Sequence, residues 1–189
     1  MSTSERAIPP LDADERTSLT SWLDFYRTTL AQKCEGLDDE RLREASVEPA
    51  PNSLLGLVQH MAEVERNWFR RVLAEEDAPP IFAPDADPSA RTAGFDLAEG
   101  ADYDTALSIW QSEVERARAN CVARSLDDTS PFMGGQVTLR WICTHMIGEY
   151  ARHCGHDDLI RERFDGGRGS ESRRSVERSC GGTGSGLSV

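Results

Sequence analysis

Apolar residues recur at steps of three and four along four segments of the chain, the spacing of one face of an α-helix. The predicted helices span residues 12–34, 53–76, 103–125 and 138–164. The inward-facing stripes of the first three are Leu19, Trp22, Leu23, Tyr26 and Leu30; Leu54, Leu57, Met61, Val64, Trp68 and Val72; and Leu107, Trp110, Val114, Ala117 and Cys121. The tryptophans, which fall one per helix, are predicted to lie in the core.

Polar and turn-forming residues set the limits of these helices. The stretch "DADER" places a cap and early acidic residues at the start of the first helix, and Ser53 is a plausible N-cap of the second. A short helical turn is expected at residues 39–43. Residues 77–100 contain prolines, aspartates and glycines, which predict a long acidic loop. No segment shows a convincing strand alternation.

Four amphipathic helices joined by loops predict an all-α fold, a four-helix bundle with a long crossover between the second and third helices. Residues 1–166 are predicted to form this one domain. Residues 167–189 are rich in glycine, serine and arginine and have almost nothing to bury, so they predict a disordered polar tail.

The composition of the chain limits the kinds of molecule that it is expected to bind. The net charge is −12, which disfavours binding to nucleic acid because phosphates would be repelled. No apolar run approaches the length of a membrane span, and the first ten residues lack the basic and apolar regions of a signal peptide, so we expect a cytoplasmic protein with no membrane partner. The five cysteines are scattered and form no C-x-x-C pair, which favours reduced thiols.

The stripe of the fourth helix is interrupted by ionisable residues. Its inward positions are Ile142, Met146, Glu149, His153, His156 and Ile160. A carboxylate that faces a core is costly unless it is paired or bound to a cation. Glu149 and His153 are four residues apart, close enough on a helix to share one metal ion.

His60 lies on the apolar stripe of the second helix and provides a third candidate ligand. If the second and fourth helices are neighbours, His60, Glu149 and His153 converge into a site of two imidazoles and one carboxylate, with coordination positions left open for chemistry. The simpler alternatives are a surface Glu–His pair and a core histidine bonded to a neighbouring polar group. His156, one turn beyond His153, is a candidate fourth ligand, but we predict that it supports the ligands from outside the coordination shell. His145 turns away from the stripe.

Several other catalytic patterns are missing from the sequence. It contains no H-E-x-x-H, no paired Glu-x-x-His motifs, no G-x-S-x-G and no P-loop. Cys143 and Cys154 lie off the ligand stripe and are predicted to be small core residues, so no side chain stands out as a nucleophile.

The blocks "SLLGLVQHMAEVERNWFRRVLAEED" and "TLRWICTHMIGEYARHCGHDDLIRERFDG" resemble the DinB-like superfamily. They are similar to the N-terminal metal-binding domain of mycothiol-dependent maleylpyruvate isomerase. The resemblance implies a four-helix bundle with one metal ligand on the second helix and two on the fourth; by position these are His60, Glu149 and His153. The isomerase has a further C-terminal domain where this sequence has a short polar tail, so its isomerase activity is not implied.

The resemblance implies a metal-dependent thiol S-transferase, in which a low-molecular-weight thiol such as mycothiol or bacillithiol is activated as a metal-bound thiolate. Zinc is the first choice of metal, with nickel or iron as alternatives. Arg140 and Arg152 are candidates for holding carboxylates of the thiol or the substrate, unless they are simply solvated. The family also implies a possible homodimer. The rival functions are a metal-dependent hydrolase and a non-catalytic metal- or ligand-binding bundle connected with stress.

Overall fold

The computed structural model describes residues 6–45, 52–82, 94–97 and 99–165. These residues are mostly helical, as the sequence predicts. The elements in chain order are α1 (Glu15–Cys34), α2 (Asp39–Arg43), α3 (Leu54–Glu65), a π-helical segment (Arg66–Val72), α4 (Tyr103–Val122), β1 (Thr129–Phe132), β2 (Gly135–Thr138) and α5 (Leu139–Asp165). The bounds of the long helices agree with the predicted ones to within a few residues, apart from the π-helical segment.

Side-chain caps explain where four of the helices begin. Asp14, Asp38, Ser53 and Asp102 each accept a hydrogen bond from the backbone N–H three residues later, at distances of 2.9–3.1 Å. Such a bond satisfies a donor that the first helical turn leaves without a partner. The predicted cap at Ser53 is confirmed.

The second predicted helix is not α-helical throughout. After Glu65 the backbone widens into the π-helical segment, which closes with a bond of 2.9 Å from the Leu73 N–H to the Trp68 carbonyl. Because each π-helical hydrogen bond spans one residue more than an α-helical one, the side chains that follow are shifted relative to a continuous α-helix. The spacing of apolar residues in the sequence does not indicate this change.

A β-hairpin between α4 and α5 corrects the prediction that the chain has no strand. β1 and β2 pair antiparallel, from Thr129 opposite Thr138 to Phe132 opposite Gly135. Met133 and Gly134 form the two-residue turn with positive φ values of 48° and 79°, as tight hairpins require. Each strand has only four residues and buries a single side chain, which is too short for an alternating pattern to be detected.

The long helices pack in pairs, α1 against α5 and α3 against α4, and α3 also contacts α1 and α5. Their inward stripes form the core, in which Leu57, Met61 and Met146 are fully buried. The tryptophan prediction is wrong for Trp22 and Trp141, which are 42% and 47% exposed. These two residues lie at the edges of their stripes, where an apolar period does not separate core from surface.

A buried polar network connects all four long helical segments. Arg27 of α1 donates two hydrogen bonds to Glu65 of α3, at 2.8 and 2.9 Å. Tyr150 of α5 donates to the same carboxylate at 2.6 Å and accepts from the indole N–H of Trp110 on α4 at 2.9 Å. Because the charges are paired and each group has a partner, the network fixes how the helices are rotated relative to one another.

Some predictions fall outside the described residues. These include the disordered tail at 167–189 with Cys180, and the greater part of the loop at 77–100. The domain boundary at residue 166 therefore stays a prediction. No helix among the described residues is long and apolar enough to span a membrane.

Candidate metal centre

One cluster of potential metal ligands stands out among the described residues. His60, Glu149 and His153 each offer a ligand atom, and these three atoms all lie within 4.8 Å of one another. His60 comes from α3, whereas Glu149 and His153 lie one turn apart on α5. The same three side chains that the sequence singled out therefore come together in space.

The buried network next to the cluster explains why these helix faces meet. Tyr150 follows Glu149 directly in the chain and is fully buried, and its hydroxyl is bonded to Glu65 of α3. The bond fixes the rotation of α5 against α3 immediately beside the cluster. With that rotation fixed, Glu149 and His153 face His60.

The His60 ring lies between two other rings. It stacks on Phe95 with 4.1 Å between ring centroids and 18° between the planes. It meets His153 edge to face at 4.6 Å, and Phe95 also approaches His153 at 5.9 Å. Phe95 therefore covers one side of the two imidazoles.

Two glycines allow the segment that carries Phe95 to lie directly on α3. A Cβ atom at Gly94 would come within 3.0 Å of the backbone nitrogen and Cα of His60, and Gly94 has a φ of +92°. A Cβ atom at Gly56 would come within 3.0 Å of the Phe95 carbonyl oxygen. The backbones approach so closely that a side chain at either position would displace Phe95 from His60.

Burial keeps His153 neutral. Its desolvation, reinforced by the neighbouring His60, lowers the pKa of His153 to about 4, although the carboxylate of Glu149 acts in the opposite direction. The Nδ1 atom of His153 is buried without a hydrogen-bond partner among the described residues. A neutral imidazole at physiological pH is the form that binds metal ions.

Glu149 is the most polar and most accessible part of the cluster. Its carboxylate oxygens lie 3.6 Å from Nε2 of His153, 3.9 Å from Nε2 of His145 and 3.0 Å from an Arg152 nitrogen. The Glu149 side chain is 16% exposed, compared with 8% for His153. Solvent therefore reaches the cluster from the Glu149 side.

The remaining predicted site residues lie around the cluster at different distances. The ring of His156 is 5.4 Å from that of His153, and its buried Nδ1 has no hydrogen-bond partner among the described residues. Arg152 contacts Glu149 but is 63% exposed. Arg140 instead forms ion pairs with Glu15 and Asp127 at the start of α5, about two and a half turns from Glu149. The supporting role of His156 and the substrate-binding roles of both arginines stay predictions.

The donor set and its geometry fit a divalent metal ion. Ligand atoms of tetrahedral zinc are about 3.4 Å apart, given bonds of about 2.1 Å. Atoms that lie within 4.8 Å of one another reach that separation by small rotations of their side chains. Two imidazoles and one carboxylate suit zinc, nickel or ferrous iron, and three protein ligands leave positions open.

Sequence reasoning missed two residues in this region. Phe95 lies in the predicted loop, and its only signal is that it is an aromatic residue directly after a glycine in an acidic stretch. Asp157, one turn after His153, is fully buried, and neither carboxylate oxygen has a hydrogen-bond partner among the described residues. Burial, assisted by the nearby Asp158, raises the pKa of Asp157 well above its ordinary value, which favours the neutral carboxylic acid.

The described cysteines are poor nucleophiles. Burial raises the pKa of all four thiols, to about 11 for Cys143 and about 12 for Cys121, and further still for Cys34 and Cys154. They are therefore protonated at neutral pH, and only a thiolate reacts readily. The prediction that Cys143 and Cys154 are buried is confirmed.

Comparison with known proteins identifies the family to which this cluster belongs. The family model described as Mycothiol-S-transferase matches residues 18–166, which contain all three cluster residues. No curated protein sequence matches the chain. The family match covers well over half of the 189 residues. The chain therefore belongs to the mycothiol-S-transferase family.

Proposed function

We propose that this protein is a metal-dependent thiol S-transferase in which His60, Glu149 and His153 hold a divalent ion and mycothiol is the cosubstrate. The observation that carries the proposal is the convergence of the three ligand atoms within a chain of the mycothiol-S-transferase family. We also infer that the four long helical segments form the DinB-like bundle, with the second-to-third crossover passing over the cluster at Phe95.

The chemistry needs a thiolate at neutral pH. A free thiol has a pKa of about 8.5 and is mostly protonated under those conditions. A bound divalent ion, with zinc the first choice and nickel or iron the alternatives, lowers the pKa of a thiol that coordinates it. In the transfer, the sulfur forms a bond to the electrophilic carbon, the leaving group departs with the electron pair of its own bond, and the thiol proton passes to solvent.

The residues of the protein would hold the metal ion, set the net charge of the site and shield it from water. Two neutral imidazoles and one carboxylate together carry a single negative charge, so a bound divalent ion keeps a net positive charge that favours an anionic sulfur. Phe95 excludes water from the His60 side. Because the described cysteines are protonated, the cosubstrate rather than the protein supplies the nucleophile.

Metal analysis of protein purified without chelator tests the first half of this proposal. We expect about one equivalent of transition metal per chain, and at least a tenfold loss of metal affinity in His60→Ala, Glu149→Gln and His153→Ala. Glu162→Gln removes an exposed carboxylate from the same helix and is the matched control, which should keep its metal. A wild-type protein without metal, or ligand variants that retain it, would overturn the proposed centre.

Conjugation of mycothiol to monochlorobimane tests the second half. We expect fluorescent conjugate to form faster than without protein, to stop on chelation and to resume when zinc is restored. Bacillithiol is tested in parallel as the alternative thiol. A metal-loaded protein that accelerates neither reaction would contradict the transferase and leave the hydrolase or binding functions to be examined.

A further inference from the structure

Four aromatic rings form a continuous surface beside Glu149, and we refer to Trp68, Phe132, Trp141 and His145 as the aromatic shelf. Trp141 and His145 lie parallel, with 4.9 Å between centroids and 7° between planes. Trp68 contacts the other three rings, with centroids 5.3 Å from Trp141, 4.6 Å from His145 and 5.0 Å from Phe132. The shelf therefore combines α5, the π-helical segment and the hairpin.

The shelf leads to the accessible side of the metal cluster. Trp141, His145 and Glu149 follow one another at four-residue steps and so lie along one face of α5. Nε2 of His145 lies 3.9 Å from a Glu149 oxygen. Phe95 covers the His60 side of the cluster. A molecule that approaches the cluster along this face of α5 therefore passes over the shelf.

The indole of Trp141 is the most exposed ring of the shelf. Trp141 is 47% exposed, which is unusual for so large an apolar side chain. Two polar side chains close to it in the chain are engaged in hydrogen bonds: Thr138 accepts from the backbone N–H of Trp141 at 3.1 Å, and Thr144 donates to the Arg140 carbonyl at 2.9 Å. A planar conjugated molecule can stack on this surface across the face of its ring system.

We propose that the aromatic shelf binds the planar, conjugated part of the electrophilic substrate, with Trp141 as its main contact. This inference rests on the proposed transferase function and names the substrate class. In the reaction with monochlorobimane, the ring system lies on the shelf while sulfur bonds to the chloromethyl carbon. Chloride leaves with the electron pair of the carbon–chlorine bond, and the thiol proton goes to buffer.

Binding of an unreactive probe tests the shelf without turnover. Tetramethylbimane, in which hydrogen replaces the chlorine, is measured by equilibrium dialysis through its own fluorescence. We expect Trp141→Leu to weaken its binding to the metal-loaded protein about tenfold and Trp141→Phe to weaken it less. Trp22→Leu, which removes a similarly exposed tryptophan of α1 that is not part of the shelf, should bind as the wild type does. Equal binding in Trp141→Leu and wild type would overturn the proposal.

Steady-state kinetics distinguish a shelf that binds the electrophile from one that binds the thiol. We expect Trp141→Leu to raise KM for monochlorobimane about tenfold, with KM for mycothiol and the rate with small iodoacetamide unchanged. A rise in KM for mycothiol alone would overturn the proposal, because the shelf would then bind the thiol. Phe132→Leu gives a second test if Trp141→Leu misfolds, with a smaller rise in the same KM. If the protein proves inactive, the dialysis result still decides whether the shelf binds planar molecules.

Discussion

Phe95 stacks on His60 with 4.1 Å between ring centroids and 18° between ring planes. The two residues lie far apart in the chain, one in the connection before α4 and the other within α3. The contact gives that connection a direct role at the candidate metal centre. Stacking limits the rotation of the His60 ring and shields one of its faces from water, both of which favour metal binding.

Replacing Phe95 by alanine should weaken metal binding. The variant loses the stacking contact and admits water beside His60, and aromatic contacts of this kind are worth about 0.5–1.5 kcal/mol. We therefore expect the dissociation constant for zinc to rise about two- to tenfold, as measured by competition with a chromophoric chelator. Phe25→Ala removes a partly buried aromatic residue on α1 and should leave zinc affinity unchanged. Equal losses in both variants would point to general destabilisation.

Gly94 should tolerate alanine less well than Gly100 does. Both residues have positive φ, at +92° and +78°, so alanine costs about 1–2 kcal/mol of backbone strain at each. Only at Gly94 does the added methyl meet the backbone of His60, whereas Gly100 has open space around it. Urea unfolding should show the greater destabilisation for Gly94→Ala, and only that variant should also lose zinc affinity. Indistinguishable behaviour would argue against the close approach.

Breaking the buried Arg27–Glu65 pair should destabilise the protein far more than breaking a surface pair. Arg27→Met leaves the carboxylate of Glu65 buried with a single donor, Tyr150, and we expect a loss of about 3–5 kcal/mol in the free energy of unfolding. Arg118→Met removes an arginine that is 45% exposed, and it should cost no more than about 0.5 kcal/mol. Chemical denaturation of both variants measures the difference. A loss for Arg27→Met as small as that for Arg118→Met would show that the network does not hold the helices together.

Asp157 should make the protein less stable as pH rises. Its pKa is raised in the folded state, so above the ordinary pKa of about 3.9 the unfolded chain releases a proton that the folded chain keeps. The folded state then binds more protons, and the free energy of unfolding falls with increasing pH. Asp157→Asn mimics the neutral acid and removes this dependence of the free energy of unfolding on pH. We expect it to melt at a higher temperature than the wild type at pH 8, with a smaller difference at pH 5.5.

The reverse result for Asp157→Asn, with the wild type more stable at pH 8, would show that the carboxylate is ionised and has a partner. Asp104→Asn is the control. Asp104 is an exposed acidic residue in the first turn of α4, so its replacement should not raise the melting temperature.

The sequence correctly predicted the features that depend on residues within a single helix. Glu149 and His153 had to lie on one face because they are four residues apart, and an inward-facing carboxylate had to find a cation or a partner. The cap at Ser53 followed from a side chain that reaches only three residues ahead. The hairpin was missed because strands that each bury a single side chain show no detectable alternation of apolar and polar residues. The exposure of Trp22 and Trp141 was missed because the spacing of apolar residues does not show where the buried face of a helix ends.

By itself, the sequence determined the helices and the three ligand candidates, since helical spacing and the cost of burying charge act over one or two turns. Only the tertiary structure decided which faces meet. The bond between Tyr150 and Glu65 sets the rotation of α5, and the close approach at Gly94 places Phe95 on His60. The π-helical segment brings Trp68 to Trp141 and His145. These contacts join residues distant in the chain, and their geometry depends on packing that no local pattern records.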